Sequence, residues 1–341
     1  MAKASSKKLT SLEVCAGAGG QAIGLERAGF EHAALVEIEE QFCNTLRLNR
    51  PKWNVIQADL NKFKGTQYKG VDLVAGGVPC PPFSKAGKQL GELDERDLFP
   101  AMLKLVKETQ PKAVLIENVR GLLDPKFKDY RDVITKKLER MGYVVSWKLF
   151  HAAHFGVPQL RPRTLMVALQ KPYAEHFEWP IGNTEKIVTV GDALYELMAS
   201  AGWKKVDAWR KKASKVGPTL VGGSKKHGGA DLGPTRAKKA WLALGVDGKG
   251  LVEFAPQADF DGDPRLTVQM AAIIQGFPKE WKFSGKKTAA YRQVGNAFPP
   301  PVAEAVGKAI RKAIRKAIEQ GDRKPTAPKK PKATSSRVLV A

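Results

Sequence analysis

Cysteine is scarce: 341 residues carry three, Cys15, Cys43 and Cys80. Their odd number and irregular spacing exclude a disulfide framework and fit no zinc ribbon, so they read as reduced thiols with no metal site implied. Long apolar runs are missing too. No stretch reaches the roughly eighteen residues a membrane-spanning helix needs, and the opening MAKASSKKLT lacks the apolar segment of a secretory signal, so a cytoplasmic protein is expected. Acidic residues are outnumbered, 34 Asp and Glu against 57 Lys and Arg, for a net charge of +23. That balance disfavours cationic partners and favours a polyanion, nucleic acid first, bound through phosphate neutralisation and counterion release. Part of the excess sits in a tail, DRKPTAPKKPKATSSRVLVA, whose composition is that of a disordered basic segment.

What is present has a rhythm. Hydrophobic residues make up 43% of the chain, enough for a sizeable core. SLEVCAG, HAALVEI, VIQADL, VDLVAGG, AVLIENV and TLMVAL predict strands, several so continuously apolar that the sheet must be covered on both faces. GGQAIGLERAG, EEQFCNTLRLN, DLFPAMLKLVKETQ and YRDVITKKLERMG predict helices among them. This repetition predicts an α/β fold with a mostly parallel sheet and right-handed crossovers.

From about Lys171 to Pro264 the rhythm is lost. KKASKVGPTLVGGSKKHGGADLGPTRAKKAWLALG is rich in Gly, Pro and Lys, and predicts a smaller irregular domain that buries little apolar surface per residue and turns its loops to a ligand. Between Lys204 and Lys239 eleven cations face two acids, Asp207 and Asp231, a net of +9 that predicts phosphate contact. RLTVQMAAIIQGFP and PPVAEAVGKAIRKAIRKAIE restore helical periodicity, the second with Ile310, Ile314 and Ile318 on one face, suited to packing back on the first domain. The expected organisation is a larger domain from 1–170 and 265–320, a smaller one over 171–264, and the tail over 321–341.

Several strand ends carry chemistry. VCAGAGGQAIGLERAG places Gly17, Gly19 and Gly20 between a strand and a helix, where backbone amides are open to a ligand. The dinucleotide fingerprint fails at Ala22, and on this stretch alone a glycine turn without a ligand accounts for it equally well. Glu37 and Asp59 close the next two strands. Either alone reads as a cap or a solvated charge, but together with the glycines they favour an adenosine-type cofactor. Cys80 follows the fourth strand between Pro79, Pro81 and Pro82, which fix φ, remove three backbone donors and give a stiff loop presenting the thiol as a nucleophile, with Ser84 on the same loop to meet substrate. Glu117 ends AVLIENV as a helix cap or, beside Cys80, an acid of raised pKa. Gln159, Arg161 and Arg163 alternate into TLMVAL and suit anion or carbonyl recognition. Asn296 follows a glycine and precedes a proline-initiated helix.

In this order the residues resemble those of the bacterial DNA (cytosine-5)-methyltransferases, from the glycine turn to about Glu319. The resemblance rests on PCPPFS and ENV followed by QLRPR and QVGNA. It implies a Rossmann-like methyltransferase fold with a mixed, mostly parallel sheet, helices on both faces and a smaller target-recognition domain. It implies S-adenosylmethionine as cofactor, held by Cys15, Ala16, Gly17, Gly19, Gly20, Glu37, Ile38, Asp59, Leu60, Pro79, Asn296 and Ala297. Cys80 and Glu117 become nucleophile and acid; Arg163 meets the cytosine O2 with Arg161 and Gln159 in support, and the Pro79 carbonyl and Ser84 meet the base. The Gly- and Lys-rich segment stands where the family has its variable recognition region, with Lys225, Lys226, His227 and Arg236 as expected DNA contacts. Cys15 and Ile38 depart from the aromatics usual at their positions, which bears on cofactor packing. The resemblance further implies double-stranded DNA as partner, a base swung out of the helix, a nucleoid-associated monomer, and a cognate restriction endonuclease as functional counterpart. The competing readings are an RNA cytosine methyltransferase, a non-enzymatic DNA-binding protein on the same fold, and a dinucleotide-dependent dehydrogenase.

Overall fold

In the computed structural model, which describes residues 8–79, 97–223 and 229–322, the apolar segments assemble into a seven-stranded sheet. Its strands are β1 (Leu9–Val14), β2 (Phe30–Glu37), β3 (Val55–Gln57), β4 (Leu73–Gly76), β5 (Ala113–Val119), β6 (Tyr143–His151) and β7 (Pro162–Gln170), ordered β3-β2-β1-β4-β5-β7-β6. The first five are parallel, and β7 is antiparallel to both β5 and β6. This reversal brings the start of β7 to the edge where the parallel strands end, opposing Arg163 to Val119 and Leu165 to Glu117.

The helices are α1 (Gly20–Ala28), α2 (Glu40–Asn49), α3 (Phe99–Thr109), α4 (Lys128–Arg140), α5 (Lys171–Ala174), α6 (Val190–Ala199), α7 (Val206–Lys212), α8 (Thr235–Ala243), α9 (Val268–Gln275), α10 (Lys287–Asn296) and α11 (Pro300–Asp322). The apolar runs have the cause expected of them. Leu12, Val14, Val74, Val114 and Ile116 are buried with residues of α3 and α4, and Leu73, Ala75, Ala113 and Leu115 with residues of α1 and α11 on the other face. Ile310 and Ile314 of α11 are fully buried, in one cluster with Leu25 and Ala28 of α1.

Glycine lets α1 and α11 meet. A Cβ on Gly24 would lie 2.5 Å from Ala303 Cβ and 2.6 Å from Pro300 O. Because a backbone oxygen cannot yield as a side chain can, Gly24→Ala should destabilise by about 1–3 kcal/mol, outweighing a helix-propensity gain of about 1 kcal/mol. The urea midpoint measures this, and a midpoint equal to or above wild type would show that the helices have room to part.

Three expectations change. The edge strand β6 has no clear signal in the sequence, because Ser146 and Lys148 interrupt its apolar residues and Val144 is left exposed. VIQADL is a strand only over Val55–Gln57; Asp59 then turns the chain, its Oδ1 accepting from Asn61 N at 2.9 Å. Residues 171–264 are not poor in core: Trp203, Trp209, Trp241, Leu220, Leu232 and Val246 are buried in one cluster with Ile23, Leu35 and Leu46 of the larger domain. A few tryptophans, each burying some 150–250 Å², supply what the low apolar frequency concealed. Among the described residues no helix is long and apolar enough to cross a membrane. The tail from residue 323 lies outside the described residues.

Candidate active site

The carboxyl ends of β1, β2, β4 and β5 share one edge, and a cleft there is bordered by Cys15 to Ala18, Gly20, Gly77, Glu117 and Asn296 to Phe298. The glycine turn and Glu117 therefore face one cavity. At the turn, Cys15 takes φ +50° and Gly17 φ +56°. The glycines divide their uses: nothing stands nearer the Cβ position of Gly17 than the Cys15 carbonyl at 4.0 Å, whereas a Cβ on Gly19 would strike Leu46 at 2.7 Å and one on Gly20 would strike Phe298 O at 2.2 Å. Gly17 is left open toward a ligand; Gly19 and Gly20 admit the rest of the protein.

Glu37 is 6% exposed and holds the turn, one oxygen accepting from Gly17 N at 2.7 Å and the other from Glu39 N at 2.9 Å. Burial pushes its carboxyl upward, opposed by the amides of Glu39, Gly17 and Ile38. At least one lone pair is left free. Ile38, next in sequence, is 58% exposed, an apolar surface without a cover among the described residues. Asp59 is half-buried and Leu60 buried on the following turn. These residues fit an adenosine: acid oxygens for ribose hydroxyls and an apolar flank for a ring.

Across the cleft, Glu117 Oε1 stands 2.7 Å from Arg163 Nε, each side chain 13% exposed. Burial lowers the Arg163 guanidinium from its usual value, partly opposed by the charge and hydrogen bond of Glu117. The backbone leading to Cys80 is fixed beside this pair. A Cβ on Gly77 would lie 3.1 Å from Glu117 Oε2, Asn118 Nδ2 donates to Val78 O at 2.8 Å, and Leu98 N donates to Pro79 O at 3.3 Å, joining described residues on either side of 80–96. Pro79 O thus has one lone pair already engaged. Cys80 and Ser84 lie outside the described residues.

Two residues expected at the substrate are spent elsewhere. Arg161 is 1% exposed and donates to Leu220 O at 2.8 Å and to Gly295 O and Ala297 O at 2.9 Å. Gln159, fully buried, accepts from Leu220 N at 3.0 Å and donates to Ile274 O at 2.8 Å and Gln275 Oε1 at 2.6 Å. Both join chain segments rather than face the cleft. Gln275, which donates on to Ala297 O, escaped the sequence reading because a glutamine in a helix reads as surface. Phe42 and Gln21, which border the cleft, gave no signal distinct from core and helix positions.

Asn296 ends α10, a helix not foreseen, and donates to Gly223 O at 3.1 Å. Arg236 is exposed on α8; Lys225, Lys226 and His227 lie outside the described residues. The +9 count needs correction. Lys204, Lys205 and Lys212 pair with Asp259, Asp261 and Asp263 at 2.5–2.7 Å, Arg210 with Asp192 and Lys238 with Asp231. Four of these five acids lie outside the counted window. Exposed pairs add little stability, but they reduce the field offered to phosphate. Arg236, Lys211, Lys215 and Lys239 have no ion pair among the described residues.

The other thiols are poor nucleophiles. Burial, with the Glu37 and Asp59 carboxylates, pushes Cys15 up to about 12, and burial with Glu37 pushes Cys43 up to about 11. Thiolate fraction rises tenfold per pH unit below the pKa, so at pH 8 about one Cys15 in 10,000 and one Cys43 in 1,000 is ionised. Iodoacetamide at pH 8 should therefore alkylate Cys80 and spare both, with labelling at Cys15 appearing only as the pH approaches 11 and Cys43, fully buried, protected as long as the enzyme stays folded. Peptide mapping that found the three equally modified would contradict this.

The model of the C-5 cytosine-specific DNA methylase family matches residues 9–312. The chain belongs to that family. This methylase is 57% identical over 304 residues to type II methyltransferase M.NgoMIV of Neisseria gonorrhoeae, covering 88% of the chain and 96% of the relative. It is 51% identical over 323 residues to M.NaeI of Lentzea aerocolonigenes, covering 93% and 78%. Among solved structures, a DNA modification methyltransferase encoded within an E. coli prophage matches with TM-score 0.65 at 23% identity over 90% of this chain and 99% of the other. Spodoptera frugiperda DNMT2 matches with TM-score 0.61 at 18% identity over 89% and 99%. These two share the fold. The methylase is a DNA (cytosine-5)-methyltransferase, which excludes the dehydrogenase and the non-enzymatic readings.

Proposed function

We propose that the methyltransferase acts on a cytosine swung out of a specific duplex sequence, with S-adenosylmethionine as donor, Cys80 as nucleophile and Glu117 as acid, in a restriction–modification setting like that named for its type II relatives. The observation that carries the reading is one cleft joining the Gly17 turn to Glu117, beside the anchored backbone of Gly77 to Pro79 that leads to Cys80. Gly17, Glu37, Ile38, Asp59 and Asn296 would hold the cofactor, which when bound supplies an electrophilic sulfonium methyl.

The chain's own residues meet the rest of the chemical demand. Carbon 5 of cytosine is a weak nucleophile until a thiolate adds at carbon 6. As the S–C6 bond of Cys80 forms, the C5=C6 electron pair is released into the ring, and Glu117 places a proton at N3 to absorb the charge. Arg163, paired with Glu117 at 2.7 Å, would orient the carboxyl and meet the cytosine O2. After C5 is alkylated, its proton is lost to solvent, the freed pair re-forms C5=C6 and expels the Cys80 thiolate, and N3 returns its proton to Glu117. Arg161 and Gln159 act as positioning residues. Arg236 and the unpaired lysines of the recognition segment would bind phosphate and fix register rather than read bases.

Bisulfite sequencing of DNA from cells expressing the enzyme tests the reading. Protection of one cytosine within a recurrent sequence is expected; uniform conversion, or methyl incorporation into RNA but not duplex DNA, would refute it.

A further inference from the structure

A guanidinium buried as deeply as Arg161 carries a large desolvation cost, and no carboxylate among the described residues is hydrogen-bonded to it. Packing alone would be served by methionine or leucine. What arginine adds is a planar fork that can grip two chain segments at once. Nη1 holds Leu220 O, from the segment read as facing the duplex, and Nη2 holds Gly295 O and Ala297 O, from the wall of the cofactor cleft.

The same two segments are clamped in three further ways. Gly222 and Gly295 cross so closely that a Cβ on Gly295 would lie 2.3 Å from Gly222 N, and one on Gly222 would lie 2.5 Å from Arg292 O. Asn296, itself bordering the cleft, donates to Gly223 O at 3.1 Å. Gln159 accepts from Leu220 N and donates to Gln275, which donates in turn to Ala297 O. Both backbone polar groups of Leu220 are thus fixed, and Ala297 O has two donors. A shift of Leu220–Gly223 cannot leave Gly295–Ala297 in place.

We propose that Arg161 is a positioning residue that makes duplex binding and cofactor binding depend on one another: whichever ligand arrives first sets the segment that the other must meet. The proposal rests on reading residues 171–264 as facing DNA and the Gly17 cleft as the cofactor site.

The test uses the full-length enzyme, S-adenosylhomocysteine, and a duplex carrying the sequence found by methylation mapping. In wild type each ligand should raise affinity for the other by the same factor, at least about fivefold, since coupling is reciprocal. Arg161→Lys keeps a positive charge but cannot span both carbonyl sets. It should lower that factor at least twofold, the Asn296, Gln159 and Gly222–Gly295 contacts remaining, while each ligand alone binds within a few-fold of wild type. A wild-type factor near one, or an unchanged factor in Arg161→Lys, overturns the proposal. Should Arg161→Lys fail to fold, amide exchange in the wild type decides: S-adenosylhomocysteine alone should slow exchange of the hydrogen-bonded Leu220 amide severalfold, and an unchanged rate overturns it. If S-adenosylhomocysteine does not bind at all, both the cofactor reading and this proposal fall. If both ligands bind without mutual effect, only this proposal does.

Discussion

Replacing Cys80 with serine is expected to lower methyl transfer by roughly 10⁴-fold or more while leaving S-adenosylhomocysteine and duplex affinities within a few-fold of wild type. A serine hydroxyl is scarcely ionised near neutral pH and cannot supply the anion that must add to carbon 6. No other cysteine can substitute. Cys15 lies at the glycine turn with its thiol pushed up to about 12, and Cys43 is fully buried under β2, donating to Glu37 O at 3.5 Å. Neither offers thiolate, and Cys43 is sealed from any nucleobase. Single-turnover transfer of labelled methyl to duplex DNA measures the loss. Turnover within tenfold of wild type would remove Cys80 from the mechanism.

Glu117→Gln should reduce transfer by about 10²–10⁴-fold, the range for loss of a positioned acid. Two effects must be separated, because Glu117 also neutralises Arg163 at 2.7 Å. The amide cannot give a proton to N3, and it leaves a mostly buried guanidinium unpaired, costing at most about 3 kcal/mol of stability because the amide oxygen still accepts. In Glu117→Gln with Arg163→Met the unpaired charge is gone. Stability should recover toward wild type while transfer stays low. Recovery of transfer in the double variant would mean that Glu117 matters only as a counterion, and a single variant within tenfold of wild type would mean that it is not the acid.

Glu117 also shows how much of the site is legible before folding. An acid after four apolar residues signals that something must compensate for it, but not what; Arg163 is 46 positions away in sequence and arrives because β7 runs against β5. Gly17, Gly19 and Gly20 are indistinguishable as letters, yet one faces a cleft and two accept neighbours. Arg161 and Arg163 alternate on one segment, the pattern of two residues with one job, and the structure gives them opposite surroundings: one grips backbone carbonyls, the other a carboxylate. Charge misled in the same manner, because the acids that answer Lys204, Lys205 and Lys212 lie more than fifty residues downstream.

The sequence by itself determined the layered α/β fold, the strand ends that carry chemistry and the family, because apolar periodicity and proline- and glycine-stiffened turns act over a few residues and are written locally. The antiparallel β7, the pairing of Glu117 with Arg163, the neutralised lysines and the Arg161 clamp were decided only in three dimensions. Each depends on electrostatics or hydrogen bonding between groups far apart along the chain. Those interactions act over a few ångströms, and which distant groups come that close is settled by the packing of the whole sheet.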